Sequence, residues 1–156
     1  MKDGSLDIND ETLARLDVVG VSLHSNFKMP ARDMTRRIVR ALSNPNVDIF
    51  FHPTTRIINR RPPVEFDFDE VLKAAKKNHV ALEVNAHPWR LDLHDTLIRK
   101  AVAAGVKLVI DSDAHHPNEL DYLHFGEAQA RRGWATADDI LNTKSVDELL
   151  KFFKGK

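Results

Sequence analysis

No cysteine occurs anywhere in the 156 residues. Disulfides and thiolate metal ligands are therefore excluded, and any bound metal must be held by imidazole and carboxylate. Neither sign of charge dominates, with 23 Lys and Arg against 23 Asp and Glu. A whole-molecule basic field for holding nucleic acid is absent, which leaves only local patches to do so. The longest apolar runs are a few residues, far short of a membrane span. The opening MKDGSLDIND is polar and acidic, unlike a secretory signal. A cytoplasmic chain with no membrane partner is the expectation. No repeat, low-complexity tract or linker divides the sequence, so residues 1–156 read as one domain. What is present is enough apolar residue, 42%, for a real core. Eight histidines are also present, and their positions matter more than their number.

Four short β-branched runs read as strands: Asp17–His24, Val47–His52, Val80–Asn85 and Lys107–Ser112. Their near-continuous apolar character suits strands buried on both faces of a parallel sheet. Helical spacing fills the segments between them. Pro30 suits a first turn, and Met34, Ile38, Ala41 and Leu42 then share a face until Asn44-Pro45 ends the helix. Asp69 is the expected cap of a second helix that buries Val71, Leu72 and Ala75. Asp95 is the expected cap of a third, which packs Leu97, Ile98, Ala101 and Val102 and stops at a left-handed Gly105. Beyond the fourth strand the pattern is helical: 119–132, a short 136–141, and 145–153 opened by a Ser145/Glu148 capping box. The order is alternating β and α, with parallel strands and right-handed crossovers.

The strand ends carry the chemistry. The first closes on His24, the second on His52 and the third on Asn85, while the fourth runs into Asp111-Ser112-Asp113-Ala114-His115-His116. In a β/α barrel these ends share one rim. Each residue has an ordinary reading when taken singly. A lone strand-end histidine is more often structural, His-Pro readily starts a turn, and Asp113 alone suits an Asx turn. Their joint placement favours a metal site, since independent accidents seldom land together. Imidazole with carboxylate suits Zn²⁺, Mn²⁺ or Fe²⁺ better than Ca²⁺. Such an ion generates hydroxide near neutral pH and screens a phosphoryl group. An Asp at such a centre bridges ions or takes a proton from the attacking water. His79, His94 and His124 are explained by solvent or packing, and His87 and His116 stand nearer the rim without being expected ligands.

Arg56, Arg60 and Arg61 follow His52, and Arg90 follows the third strand. Guanidinium forks on rim loops suit a phosphate; salt bridges to Glu65, Asp67 and Asp92 are the equal alternative. Arg131-Arg132-Gly133-Trp134 is better explained as a helix end with a core tryptophan than as a nucleic-acid contact.

The strings VSLHSNFKM, FHPTTRIINRRP, LEVNAHPWRLDL and VIDSDAH resemble the later motifs of the PHP (polymerase and histidinol phosphatase) domain. Their form is similar to the C-terminal PHP domain of bacterial and archaeal family X DNA polymerases. FGEAQARRGW followed by DILNT is the most discriminating part. The resemblance runs in order through nearly the whole chain. It implies a partial, roughly half, distorted β/α barrel of PHP type, with four parallel strands, flanking helices and a helical C-terminus. It implies His24, His52, Asp113 and His115 as metal ligands, and Asp113 is the candidate catalytic carboxylate; Arg56, Asn85 and Arg90 are candidate substrate contacts by their place at the rim. The ions implied are Mn²⁺ or Zn²⁺, with Mg²⁺ or Fe²⁺ as alternatives. The activity implied is a phosphoesterase, a 3′–5′ exonuclease or 3′-end processing activity on DNA such as DNA repair uses. The early H-x-H pair, the following Asp and His, and a Glu have no counterpart here, and neither do polymerase domains. His87 stands where that subgroup usually has Asn, and His116 where Ser is common. The expectation is the C-terminal part of a PHP domain, weakly active or inactive alone, which dimerises or docks with an N-terminal PHP or polymerase fragment. A non-catalytic remnant serving as an interaction module, and a histidinol-phosphatase-type enzyme for small phosphomonoesters, are the alternatives.

Overall fold

The structure is a computed structural model and describes residues 1–155. Four parallel strands, β1 (Gly20–Val21), β2 (Ile49–Phe50), β3 (Ala81–Asn85) and β4 (Leu108–Asp111), form one sheet in chain order. All four expected strands exist, each shorter than its apolar run. Among the described residues six α-helices accompany them: α1 (Asp10–Leu13), α2 (Ala31–Leu42), α3 (Phe68–Lys77), α4 (Asp95–Ala104), α5 (Leu123–Arg132) and α6 (Val146–Lys154). The result is an arc of α/β units, a partial β/α barrel.

The register explains the division of the core. Leu82 pairs with Leu108 and Glu83 with Val109, so alternate residues face opposite sides. Phe50, Leu82, Val84 and Leu108 meet Met34, Ile38, Val71, Leu72 and Ile98 in the main core. Ile49, Ala81 and Val109 point the other way, toward Leu141 and Phe153. Glu83, Asn85 and Asp111 share the parity of this second face. Only its lower part is apolar, and its upper part, at the C-terminal strand ends, is polar. The expectation of strands apolar on both faces therefore holds for the lower sheet alone.

Several helix ends differ from expectation. The cap of α3 is Asp67, which accepts from the Glu70 N–H, rather than Asp69. His94 rather than Asp95 precedes α4, without a side-chain cap bond, while Gly105 ends it at a left-handed φ of 72°. Residues 117–122 form a 3₁₀ turn whose cap is His116, in a reciprocal box with Glu119. The short helix expected at 136–141 is instead an edge segment. Ile140 bridges Leu108 in parallel, and Asn142 bonds both the N–H and the carbonyl of Ile110. That segment caps the β4 edge, which the sequence leaves open. At the other end β1 borders a groove of about 460 Å³ lined by Leu6, Ile8, Leu13, Leu16 and Val18. Ser145 and Glu148 cap α6 reciprocally as expected. Trp134 is 68% exposed rather than in the core. Its ring lies under the Arg99 guanidinium at 3.6 Å, its own backbone at φ 65°, while Gly133 before it packs closely on Ile98.

α5 approaches the sheet at Gly126, where an added Cβ would stand 2.5 Å from Ile110 and 2.9 Å from Ala86. Gly126→Ala therefore overpacks the contact despite favouring helix, and is expected to lower stability by about 1–3 kcal/mol. Urea unfolding followed by circular dichroism measures it, and an unchanged midpoint would show that α5 is not seated this closely.

Candidate metal and phosphoester site at the strand ends

The rim is assembled by one buried carboxyl. Glu83 is 2% exposed on the polar face of β3. Its Oε2 accepts the His52 backbone N–H, and its Oε1 accepts the Asn85 side-chain amide at 3.2 Å. It also hydrogen-bonds the Asp111 carboxyl of β4. Burial, then that contact, raises the Glu83 pKa well above the ordinary carboxylate value, and burial raises Asp111 as well. Two acids in contact away from water favour one shared proton between them. The sequence reading passed over Glu83 as one polar residue within an apolar run. Strand parity with Asn85 and Asp111 was the signal that would have found it.

Asp92 ties a second seam. It is fully buried and accepts the Thr54 N–H and hydroxyl, both at 2.9 Å, while its carbonyl accepts the Asn85 N–H at 2.6 Å. The loops after β2 and β3 are thus joined. Arg56 adds to this by donating to the Arg90 carbonyl at 2.7 Å and to the Leu91 carbonyl.

On this frame sit the candidate ligands. His52 is 6% exposed with φ 30°, and its ring centroid lies 5.5 Å from that of His24. Its Nδ1 is buried without a partner. Burial, then the Arg90 charge, pushes its pKa down to about 4 against the opposing pull of Asp113, so the imidazole is neutral at pH 7. His24 is exposed and shares a 2.8 Å hydrogen bond with the Ser22 hydroxyl through Nε2. Asp113 has φ 51°, and its carboxylate receives Arg90 Nε at 3.0 Å. Such left-handed conformations at non-glycine residues cost of order 1–3 kcal/mol and persist only where their surroundings fix them. His115 Nδ1 lies 2.7 Å from the Asp113 carbonyl. A carbonyl only accepts, so Nδ1 carries the proton and Nε2 keeps the lone pair a metal needs.

The structure brings His24, His52 and Asp113 into one neighbourhood, with His115 on the loop beside them. It does not complete a coordination set: among the described residues no three His, Asp or Glu side chains are grouped closely enough to hold a metal ion. The donors fit a divalent cation in kind, through the unpartnered Nδ1 of a neutral buried imidazole facing a second imidazole. Of the substrate candidates, Arg90 keeps a buried Nη1 without a partner. Arg56 spends its fork on backbone carbonyls. Asn85 bonds Glu83 through its nitrogen and the His87 N–H through its oxygen, so both ends of its amide are engaged inside the protein.

No family model matches the chain. A DNA polymerase/3′-5′ exonuclease, PolX, of Bacillus subtilis is 42% identical over 154 residues, covering 99% of this chain and 27% of that protein. A probable phosphatase of Thermoanaerobacter is 29% identical over 164 residues, covering 99% of this chain and 64% of the relative. Another, from Caldicellulosiruptor saccharolyticus, is 30% identical over 159 residues, covering 97% and 64%. The chain thus spans less than two thirds of the length of each. Fold and rim together describe a partial α/β barrel with a polar, histidine-bearing rim. The chain is homologous to PolX and to the probable phosphatases, consistent with its resemblance to the PHP domain of family X DNA polymerases.

Asp92 supplies a pH test of the frame. Burial raises its pKa to about 6 from an ordinary 3.8. The folded state then holds a proton that the unfolded chain releases, so this group's contribution to stability is full below pH 3.8. It falls as pH rises and is lost above about 6, a change of roughly 3 kcal/mol. His52 acts oppositely, since its depressed pKa makes stability rise between about 4 and 6.5. Asp92→Asn removes only the first effect. The variant's melting temperature relative to wild type is expected to climb between pH 4 and pH 7, and a pH-independent difference would contradict the assignment.

Proposed function

We propose that this rim is the C-terminal share of a divalent-metal phosphoesterase centre acting on the 3′ end of DNA. The observation that carries the reading is the buried, neutral His52 imidazole, with an unpartnered Nδ1, set against His24 and next to Asp113. A neutral nitrogen excluded from water with nothing to bond is costly unless a ligand takes it. His24, His52, Asp113 and His115 are the residues that would hold the ion, Mn²⁺ or Zn²⁺ by donor type. When bound, the ion supplies an activated water and screens phosphate charge. Arg90 orients the Asp113 carboxylate and directs its free Nη1 toward a phosphoryl oxygen. Asp113 accepts the proton of the attacking water. Remaining ligands would come from another segment or a partner chain, which makes this chain by itself weakly active. The printed activities of the relatives, phosphatase and 3′-5′ exonuclease, both break phosphoester bonds and support the class. The higher identity to PolX favours DNA over a small phosphomonoester.

Among the described residues no helix is long and apolar enough to cross a membrane. That no three such side chains are grouped among the described residues is what favours the second reading, a PHP remnant that serves as an interaction module.

Calorimetric titration with Mn²⁺ tests the proposal, beside cleavage of a 3′-labelled single strand. Wild type is expected to bind the ion, and His52→Ala and His115→Ala each to weaken binding at least about tenfold. A folded wild type that takes up no Mn²⁺ or Zn²⁺ would remove the phosphoesterase reading and leave the interaction module.

A further inference from the structure

We infer that Trp89 and Arg60 form a nucleotide subsite at the lip of this rim. The indole stacks on a base and the guanidinium takes a phosphate of a single-stranded nucleic acid. The inference rests on the phosphoesterase reading and supplies a specificity contact for it.

Four arginines lie on the two rim loops, and three of them donate side-chain hydrogen bonds within the protein. Arg56 holds the Arg90 and Leu91 carbonyls, Arg61 donates to the Thr55 carbonyl at 2.7 Å, and Arg90 pairs with Asp113. Arg60 alone of the four makes no side-chain hydrogen bond or ion pair among the described residues, and it lies over the Trp89 ring at 4.4 Å. Trp89 is 52% exposed, although an indole gains more than most side chains from burial.

Both backbones under this pair are held. Ile58 N–H donates to the Trp89 carbonyl at 2.7 Å, and Trp89 N–H donates to His87 Nδ1 at 3.3 Å. A bridge between Ile57 and Arg61 closes the turn that carries Arg60. Trp89 is next in sequence to Arg90, which grips Asp113. The indole thus stands one residue along the chain from a side chain bound to Asp113.

An exposed aromatic face accepts any base, and a free guanidinium fork matches a phosphate. With no net charge on the chain, general attraction to a polyanion is weak. Local contacts of this kind must then carry the affinity.

The test is fluorescence anisotropy of two labelled single strands at low salt, an oligothymidylate of about eight nucleotides and an abasic strand of equal length. Wild type is expected to bind the base-bearing strand at least about fivefold more tightly. Trp89→Ala should abolish that preference while leaving the abasic affinity unchanged, and Trp89→Phe should keep most of it. Arg60→Gln should weaken both strands and flatten their salt dependence by roughly one phosphate contact. Because it alters only an exposed side chain, that variant keeps the test decisive if Trp89→Ala does not fold. No binding by wild type, equal binding of the two strands, or an undiminished preference in Trp89→Ala would each overturn the subsite. The Mn²⁺ titration reports separately on the phosphoesterase reading. Metal binding without base preference removes only the subsite, and base preference without metal binding removes only that reading.

Discussion

A carboxyl group buried between two strands has to find partners for every polar atom, and at Glu83 those partners are the rim itself. Its oxygens take the backbone of His52 from one loop and the amide of Asn85 from its own strand, while Asp111 of the neighbouring strand shares its proton. Leaving any of these unmade inside the protein costs more than making it gains, so the arrangement is specified by exclusion. His52 is thereby fixed at its backbone rather than at its ring. The imidazole stays free to meet something else.

The same logic extends outward in layers. Asp92 and Arg56 bond the two rim loops to each other, and Arg90 joins the loop after β3 to the one after β4 through Asp113. These contacts hold His52 and Asp113 in left-handed backbone conformations that a free loop would abandon. They also set the local electrostatics. Burial, then the Arg90 charge, keeps His52 unprotonated, which is the form able to donate a lone pair. Among the described residues, the donors that the polar end of the sheet presents are not grouped closely enough to hold a metal ion.

The arc also treats its two edges differently. Residues 139–142 bond along β4 and close that side, as an unpaired parallel edge requires. The β1 side opens on a groove lined mainly by the N-terminal residues. α6 covers only the lower half of the second face with Phe152 and Phe153, so the upper half, where Glu83 and Asp111 sit, stays reserved for polar groups.

The sequence alone determines the alternation of strands and helices, because β-branched runs and helical spacing are local properties of the chain. It also determines that His24, His52, Asp113 and His115 follow strand ends, and the homology to PolX accords with the resemblance read from those motifs. Two N-caps and the 136–141 segment differ from the sequence expectation, since Asp67 and His94 open the helices in place of Asp69 and Asp95 and an edge segment is recruited by the strand it covers. Trp134 stands outside the core, with its backbone at a left-handed φ of 65° and its ring against Arg99. What only the tertiary structure decided is which polar groups meet: Glu83 with His52 and Asp111, Asp92 with Thr54, Arg90 with Asp113. Those pairs lie up to 38 residues apart in the chain. Their strength comes from removal of water, and burial is a property of the assembled fold that no short stretch of sequence carries.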